Sequence, residues 1–291
     1  MTKWMAVIGS GVVAVGLSAC SETQAPTTEE DIASSPEEAQ EEMQSASEVY
    51  GEAVSAAQQT ESVRAQSITE QNMKMLPDGM EIDMTIDSDM EMTYEPLAFH
   101  QTGETSIESE DIENTNPTLS EMYLTEEGLF MHETSVDMWL KMPEEVHEDM
   151  AALAGQKSAD PARQLEELEG FEEEFALEET EDAYVLTLNA SGEQFQSLMD
   201  EHLQKTLGQM EIEAPLSSED LEVHSVDYVI TLDKETYLAE RIEVDLALDV
   251  DIRGDTMAIE SQMQVDYSDY DAVEPIVIPP EVLEQAQELE F

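Results

Sequence analysis

A two-residue alternation of apolar and polar side chains constrains the fold more than any other feature of this chain. It is clearest between residues 226 and 267, where turns at residues 233–236 and 253–255 separate three runs of the same rhythm. Successive side chains of a β-strand point to opposite faces, so the pattern predicts three antiparallel strands with one buried and one solvated face. The apolar members are Val226, Tyr228, Ile230 and Leu232, then Ile242, Val244, Leu246, Leu248, Val250 and Ile252, then Met257, Ile259, Met263, Val265 and Tyr267.

The same rhythm occurs earlier in the chain and predicts further strands. Beyond about residue 67 the period becomes two, first in Met80, Ile82, Met84 and Ile86 and then in Met90, Met92 and Tyr94. Shorter apolar runs at residues 96–100, 121–124, 128–131 and 184–188 predict additional strands, and the middle two form a hairpin around residues 125–127. One broad sheet with one wet face is therefore expected.

Helical patterns lie around these strands. Ser35-Pro36-Glu37-Glu38 has the form of a helix start, and it precedes Ala39, Met43, Ala46, Tyr50, Ala53 and Ala57 at helical spacing. Residues 144–178 are predicted to be helical, with Val146, Met150, Leu153, Leu165 and Leu168 facing inward. A further helix is predicted after Ser191, with Phe195, Leu198, Met199, Leu203 and Leu207 on one side, and a short one through Val282, Leu283 and Ala286. The fold class is therefore α+β, with an antiparallel sheet covered on one face by helices.

The first twenty residues predict export and lipid attachment. A charged start, a short apolar stretch and small residues before a possible cut are typical of a signal peptide. Leu17-Ser18-Ala19-Cys20 resembles the lipobox of bacterial lipoproteins, in which the cysteine receives a diacylglycerol, and Cys20 is the only cysteine of the chain. Residues 1–19 are then the signal peptide, 20–35 a disordered tether and 36–291 a single domain. The alternatives are an ordinary signal peptide or a single anchoring helix.

The charge excludes one class of partner. Seventy acidic residues against 10 basic ones give a net charge of −60, the reverse of the basic surface that binds nucleic acid. The acids are spread along the whole chain, which favours a surface adapted to a halophilic or alkaliphilic source, where salt screens self-repulsion. The competing interpretation is a cation buffer or calcium store.

Several stretches together resemble an uncharacterised group of Gram-positive lipoproteins, similar in turn to the LolA/LolB and LppX/LprG superfamily. The resemblance is carried by residues 123–131, 139–141, 184–190, 231–236 and 275–280. The resemblance covers roughly residues 36–288. It implies a curved half-barrel sheet closed by helices around an apolar cavity, and it supplies no catalytic residues to carry over.

No stretch of the sequence favours catalysis, a metal or a cofactor. His100, His132, His147, His202 and His224 are scattered without ligand spacing, and the usual nucleophile and phosphate-loop motifs are missing from the sequence. Asp249, Asp251, Gly254 and Glu260 match an EF-hand loop, but Arg253 at its fifth position opposes calcium and the flanking alternation predicts a hairpin. The 70 acids make carboxylate pairs unavoidable, so none is nominated for hydrolysis.

The sequence therefore favours binding over catalysis. Met84, Met92, Val244, Leu246 and Met263 are predicted either to pack as core or to line a cavity, and flexible methionines suit a lipid or another hydrophobic ligand. The expected protein is a monomer on the outer face of a cytoplasmic membrane, attached through the lipid on Cys20. The alternative is a cell-envelope interaction or scaffold protein with a solid core.

Replacing the lipid-bearing residue tests the anchor. We expect Cys20→Ser to release the protein into the medium or to leave it unprocessed, because one diacylglycerol supplies the two acyl chains that lasting attachment requires. Fractionation of cells and medium measures this, and normal membrane retention of the variant would contradict the assignment.

Overall fold

The computed structural model describes residues 44–76, 79–109, 116–134, 137–155, 161–190, 221–252 and 254–289. Within these ranges the chain forms four helices and twelve strands. The helices are α1 (Ala46–Ala57), α2 (Glu144–Gly155), α3 (Pro161–Glu166) and α4 (Pro280–Gln285). The strands are β1 (Ser62–Leu76), β2 (Glu81–Tyr94), β3 (Leu97–Glu108), β4 (Thr118–Thr125), β5 (Gly128–Glu133), β6 (Met138–Lys141), β7 (Ala176–Glu179), β8 (Ala183–Ala190), β9 (Leu221–Asp233), β10 (Ala239–Ile252), β11 (Asp255–Ser268) and β12 (Gln287–Glu288).

All twelve described strands belong to one open sheet. Its order is β12-β6-β5-β4-β3-β2-β1-β11-β10-β9-β8-β7, and every pair is antiparallel except β12 with β6. Strand β1 lies in the middle, where it pairs with β2 on one side and with β11 on the other. The predicted antiparallel sheet and its hairpins are confirmed, including the turn at residues 126–127 between β4 and β5.

The cross-strand register separates two faces, which we call inner and outer. The inner face carries Ile230 and its pairing partner Ile242, both buried in the main apolar cluster. The outer face carries the opposite phase, with residues such as Glu243 and Asp245 on β10. The phase predicted from the apolar alternation is therefore the phase that the structure buries.

Helices α1 and α3 pack into the main cluster beside strand residues. Val49, Ala53 and Ala57 of α1 are buried with Leu165 of α3, and Tyr50 donates a hydrogen bond from its hydroxyl to the Leu165 carbonyl. The apolar stripe predicted for this helix is confirmed at its described members. Burial of these side chains supplies most of the free energy that holds a helix of twelve residues.

The helix begins later than the sequence analysis predicted. Ser45 is the N-cap in an extended conformation, and it forms a capping box with Glu48, so α1 cannot continue from a start at Pro36. Ser45 and Glu48 match the Ser-x-x-Glu signature of a helix start. Ser35 and Glu38 match it too, and the sequence analysis placed the start of the helix there. The structure of residues 36–43 lies outside the described residues.

Two other boundaries were wrong. Strand β1 begins at Ser62, earlier than predicted. Many of its residues are polar on both faces, so the alternation of apolar residues did not mark its start. The region predicted as helical through residue 178 forms α2 and α3 and then strand β7, which pairs with β8. Leu165 and Leu168 are buried as predicted, and the side chain of Leu153 lies outside the described residues, as does the helix predicted after Ser191.

The expectation of a single buried face was also wrong at one end of the sheet. Outer-face residues Tyr123 and Phe130 are buried against Ile278 and Val282 of the C-terminal segment. This segment crosses the outer face, forms α4 and ends in β12, which adds to β6. The β4–β6 end is therefore covered on both faces, whereas the outer face of the middle strands is acidic.

Truncating one core side chain should show how much the inner cluster contributes. We expect Ile230→Ala to lower the free energy of unfolding by about 3 kcal/mol, because Ile230 is fully buried and the change leaves a cavity. Ile68→Ala is the matched control on the outer face, where Ile68 is 47% exposed, and it should change stability by less than about 0.5 kcal/mol. Urea unfolding measures both, and equal losses would contradict the assignment of faces.

The acidic outer face should make stability depend on salt. Several carboxylates lie directly opposite one another across strands, as Asp87 and Glu104 do between β2 and β3. Like charges at this position destabilise a sheet, and salt screens them. We expect Glu104→Lys to raise stability by about 0.5 kcal/mol at low salt, and the gain to shrink in molar sodium chloride. Urea unfolding at both salt concentrations measures this, and a gain that persists in high salt would contradict it.

Candidate functional site

The five residues predicted to line a ligand site divide between two environments. Met92 on β2 is 2% exposed and packs within the main cluster, beside Val63, its pairing partner on β1, and Phe99, its partner on β3. It is therefore part of a solid core. Met84, Val244, Leu246 and Met263 lie further along the inner face and are only partly buried, and all of them except Met84 pack against the edge of the main cluster.

The register brings these four residues into two neighbouring cross-strand rows. Met263 pairs with Val244 across β11 and β10, and Met84 and Leu246 lie in the next row. The first row continues through Thr69 of β1 to Ile86 of β2, and the second contains Gln71 and Ser261 between its two apolar ends. The rows span four strands, or about 14 Å.

We call the partly exposed surface in these rows the inner patch, defined by Thr69, Gln71, Met84, Ile86, Ser261 and Met263, with Val244 and Leu246 along β10. Each of these side chains is neither fully buried nor fully exposed. Apolar and neutral polar groups alternate within the patch, because strand β1 places Thr69 and Gln71 between the apolar residues of β2 and β11. The patch is the part of the inner face best suited to contact a ligand.

Sequence reasoning missed the polar half of this patch. The prediction rested on apolar residues at alternate positions. On β1, however, the inner positions between Ala65 and Met73 are the polar residues Ser67, Thr69 and Gln71. Ser67 and Ser88 share a hydrogen bond of 2.9 Å between their hydroxyl oxygens. The signal that could have identified these residues is an alternation of neutral and charged side chains, since the outer positions of β1 include Glu70 and Lys74.

A polar groove of 510 Å³ lies behind the patch. Most of its lining residues belong to the outer phase, including Glu70, Asp83, Asp245 and Glu260. Four residues of the inner phase also border this groove, although the register directs their side chains to the inner face: Gln71, Met84, Leu246 and Ser261. The two faces of the same four strands thus differ sharply in charge.

Tyr228 extends the first row on the far side of Val244, its pairing partner on β10. Burial, with a smaller contribution from Glu167, raises the pKa of Tyr228 to about 12. The neutral phenol is therefore the form present on the inner face at physiological pH. It adds another uncharged polar group beside the apolar side chains.

The histidines and the EF-hand-like stretch form no common site within the described residues. His100 and Tyr123 both contact Glu121 on the outer face, and His224 lies 3.1 Å from Asp249. Groups of three or more potential metal ligands are not found in the described part of the chain, and His202 lies outside it. Asp249 and Asp251 lie on β10 and Glu260 lies on β11, and these two strands pair directly, so the predicted hairpin is confirmed; Arg253 lies outside the described residues.

One family model matches residues 45–287, which is most of the chain, and its description reads "Family of unknown function (DUF6612)". The chain belongs to the DUF6612 family. No curated protein matches the sequence significantly. The family assignment identifies a group of related chains without giving them an activity.

Two solved structures show partial likeness to this DUF6612 protein. LprF from Mycobacterium bovis is 12% identical, with a TM-score of 0.38, and the match covers 80% of this chain and 95% of LprF. A DUF1329 family protein from Desulfovibrio piger is 11% identical, with a TM-score of 0.24, covering 78% of this chain and 93% of that one. TM-scores below 0.5 give no basis for transferring a function.

None of the helices in the described residues is both long enough and apolar enough to cross a membrane.

The raised pKa of Tyr228 should appear in the alkaline stability of the protein. Because the folded pKa exceeds that of an exposed tyrosine, near 10, this group stabilises the fold below pH 10, and its contribution is lost as pH rises towards 12. We expect Tyr228→Phe to reduce the slope of stability against pH in this interval. Urea unfolding between pH 9 and 11.5 measures the slope, and an unchanged slope would contradict the assignment.

Proposed function

We propose that this protein is a non-catalytic, lipid-anchored extracytoplasmic lipoprotein that binds a hydrophobic ligand at the inner patch. The observation that carries the proposal is the incomplete burial of Met84, Ile86 and Met263 in the middle of the sheet. Apolar surface in contact with water is unfavourable by roughly 25 cal/mol per Å², so a ligand that covers it gains this free energy. Methionine side chains adapt to ligands of different shape.

The fold that supports this function is a curved half-barrel whose helices lie over the inner face. Packing of α1 and α3 with strand residues in the main cluster supports this arrangement, because Val244, Leu246 and Met263 contact that cluster and are still only partly buried. A partly exposed apolar surface with adaptable methionine side chains suits an elongated apolar molecule.

The anchor is the diacylglycerol on Cys20, and residues 20–35 act as the spacer between membrane and domain. The Leu17-Ser18-Ala19-Cys20 tetrad supports the attachment, and the Ser-, Thr- and Glu-rich composition after it supports a disordered tether. The protein is then a monomer that meets apolar molecules near the outer face of the cytoplasmic membrane. Its net charge of −60 keeps the domain soluble and away from anionic head groups.

A scaffold protein with a solid core is the second candidate, and the burial of Met92 favours it. Met92 lies in a continuous cluster with Phe99 and Leu124 that leaves no room for a ligand at that end of the sheet. The two candidates differ in what the inner patch does. A scaffold leaves it without a ligand.

A paired substitution on β2 tests binding at the patch. Met84→Glu and Thr85→Glu add the same charge one residue apart, on the inner and outer faces respectively. With the uncharged fluorophore N-phenyl-1-naphthylamine in 1 M sodium chloride, we expect Met84→Glu to weaken binding about tenfold, or about 1.4 kcal/mol, and Thr85→Glu to leave it unchanged. Fluorescence titration gives the dissociation constants.

Circular dichroism and urea unfolding confirm that both variants are folded before binding is compared. If the folded wild-type protein does not bind the fluorophore, the binding proposal is wrong and the scaffold is favoured. If both variants lose binding equally, the ligand does not lie on the inner face.

A further inference from the structure

The inner face of the middle strands is uncharged, in a chain with 70 acidic residues. In the described strands β1, β2, β10 and β11, the inner phase between residues 63–75, 82–94, 242–252 and 257–267 contains neither an acid nor a base. The outer phase of the same strands carries most of their carboxylates. This separation of charged and neutral side chains is specific to the inner face, because a uniformly acidic surface would also carry carboxylates at the partly exposed inner positions.

A band of hydroxyl and amide groups crosses this uncharged face. One row runs from Ser120 on β4 through Gly103 and Ser88 to Ser67 on β1. The absence of a side chain at Gly103 keeps this row open, because a Cβ atom there would lie 3.2 Å from the Ser120 hydroxyl oxygen. The neighbouring inner positions of the band are Thr69, Gln71, Gln101, Thr105, Thr118 and Ser261.

Some side chains of this band can form hydrogen bonds with a ligand. Ser67 and Ser88 bond to each other, and Ser120 reaches the Gly103 carbonyl at 3.5 Å. Among the described residues, no protein group forms a hydrogen bond with the side chains of Thr69, Gln71 or Ser261, which are partly exposed beside Met84 and Met263. A ligand that covers the methionines also covers these polar groups, and it must replace their water or leave them unsatisfied at a cost.

The charge of the ligand's polar group follows from the same surroundings. A carboxylate or phosphate placed at Thr69 and Gln71 meets no cation at the described inner positions of β1, β2, β10 and β11, and it is repelled by a protein of charge −60. The described inner positions of β1, β2, β10 and β11 offer a cation no carboxylate either, because Glu70 and Asp83 belong to the outer phase. The carboxylate of Glu167 acts on Tyr228, at the far end of the first row from Thr69. An uncharged group with donors and acceptors is the one that this face can satisfy.

Resting on the proposed function, we propose that the ligand is an uncharged amphiphile, whose hydroxyl, ester or amide group bonds to Thr69, Gln71 and Ser261 while its hydrocarbon chain lies over Met84, Ile86 and Met263. A monoacylglycerol has this chemistry. Free fatty acids and anionic phospholipids are discriminated against.

Three probes with the same ten-carbon chain length test the head group. Monodecanoylglycerol, decanoate and decyltrimethylammonium are titrated into the purified protein by calorimetry at pH 8 in 1 M sodium chloride, which screens the long-range field. We expect monodecanoylglycerol to bind at least tenfold more tightly than either charged probe.

Substitutions on β1 then test the contacts. Thr69→Val and Gln71→Met remove the polar groups with little change in volume, and we expect each to lower the preference for monodecanoylglycerol several-fold. Gln262→Met is the matched control on the outer phase of β11 and should leave the preference unchanged. The naphthylamine fluorophore, which makes little use of these polar groups, should bind all three variants as it binds the wild-type protein.

The outcomes separate this inference from the proposed function. If decanoate or decyltrimethylammonium binds as tightly as monodecanoylglycerol, the uncharged head group is wrong and hydrophobic binding stands. A preference that survives both β1 substitutions overturns the assignment of the contacts. If neither the three probes nor the fluorophore binds, the proposed function itself fails.

Discussion

The separation of charge across the sheet is the constraint on which the rest of the structure depends. With a net charge of −60, the chain can bury a core only if its strands direct carboxylates to one face and neutral side chains to the other. A slip of one residue in register would move every carboxylate of a strand to the inner face. The pairing of Ile230 with Ile242, and of Ile242 with Val265, is therefore strongly specified, whatever the intrinsic strand propensity of the sequence.

Strand β1 connects the two halves of the sheet and gives the inner face its polar character. Its position between β2 and β11 places Thr69 and Gln71 among apolar residues that come from distant parts of the chain. A fully apolar β1 would favour closer packing of the inner face. Its neutral polar residues instead leave a surface that remains compatible with both water and an amphiphile, which links the topology to the proposed binding.

The C-terminal segment stabilises the β4–β6 end of the sheet by packing on its outer face. Ile278 and Val282 bury the rings of Tyr123 and Phe130, and β12 pairs with β6. One end of the sheet is thus packed on both faces, while the outer face of the middle strands carries carboxylates that lie opposite one another, such as Asp87 and Glu104. Stability and ligand contact are consequently assigned to different parts of one sheet.

The sequence by itself determined the strands of the last third, the inner phase of β2, the hairpins and the stripe of α1, because these depend on local periodicity. The start of α1 at Ser45 was also readable, since its capping box is local. Only the tertiary structure decided that β1 lies at the centre and that Tyr123 is covered by Ile278. It also decided that Met92 is core whereas Met84 is partly exposed. These facts depend on pairing between residues far apart in the chain, and the same alternating pattern is compatible with several strand orders.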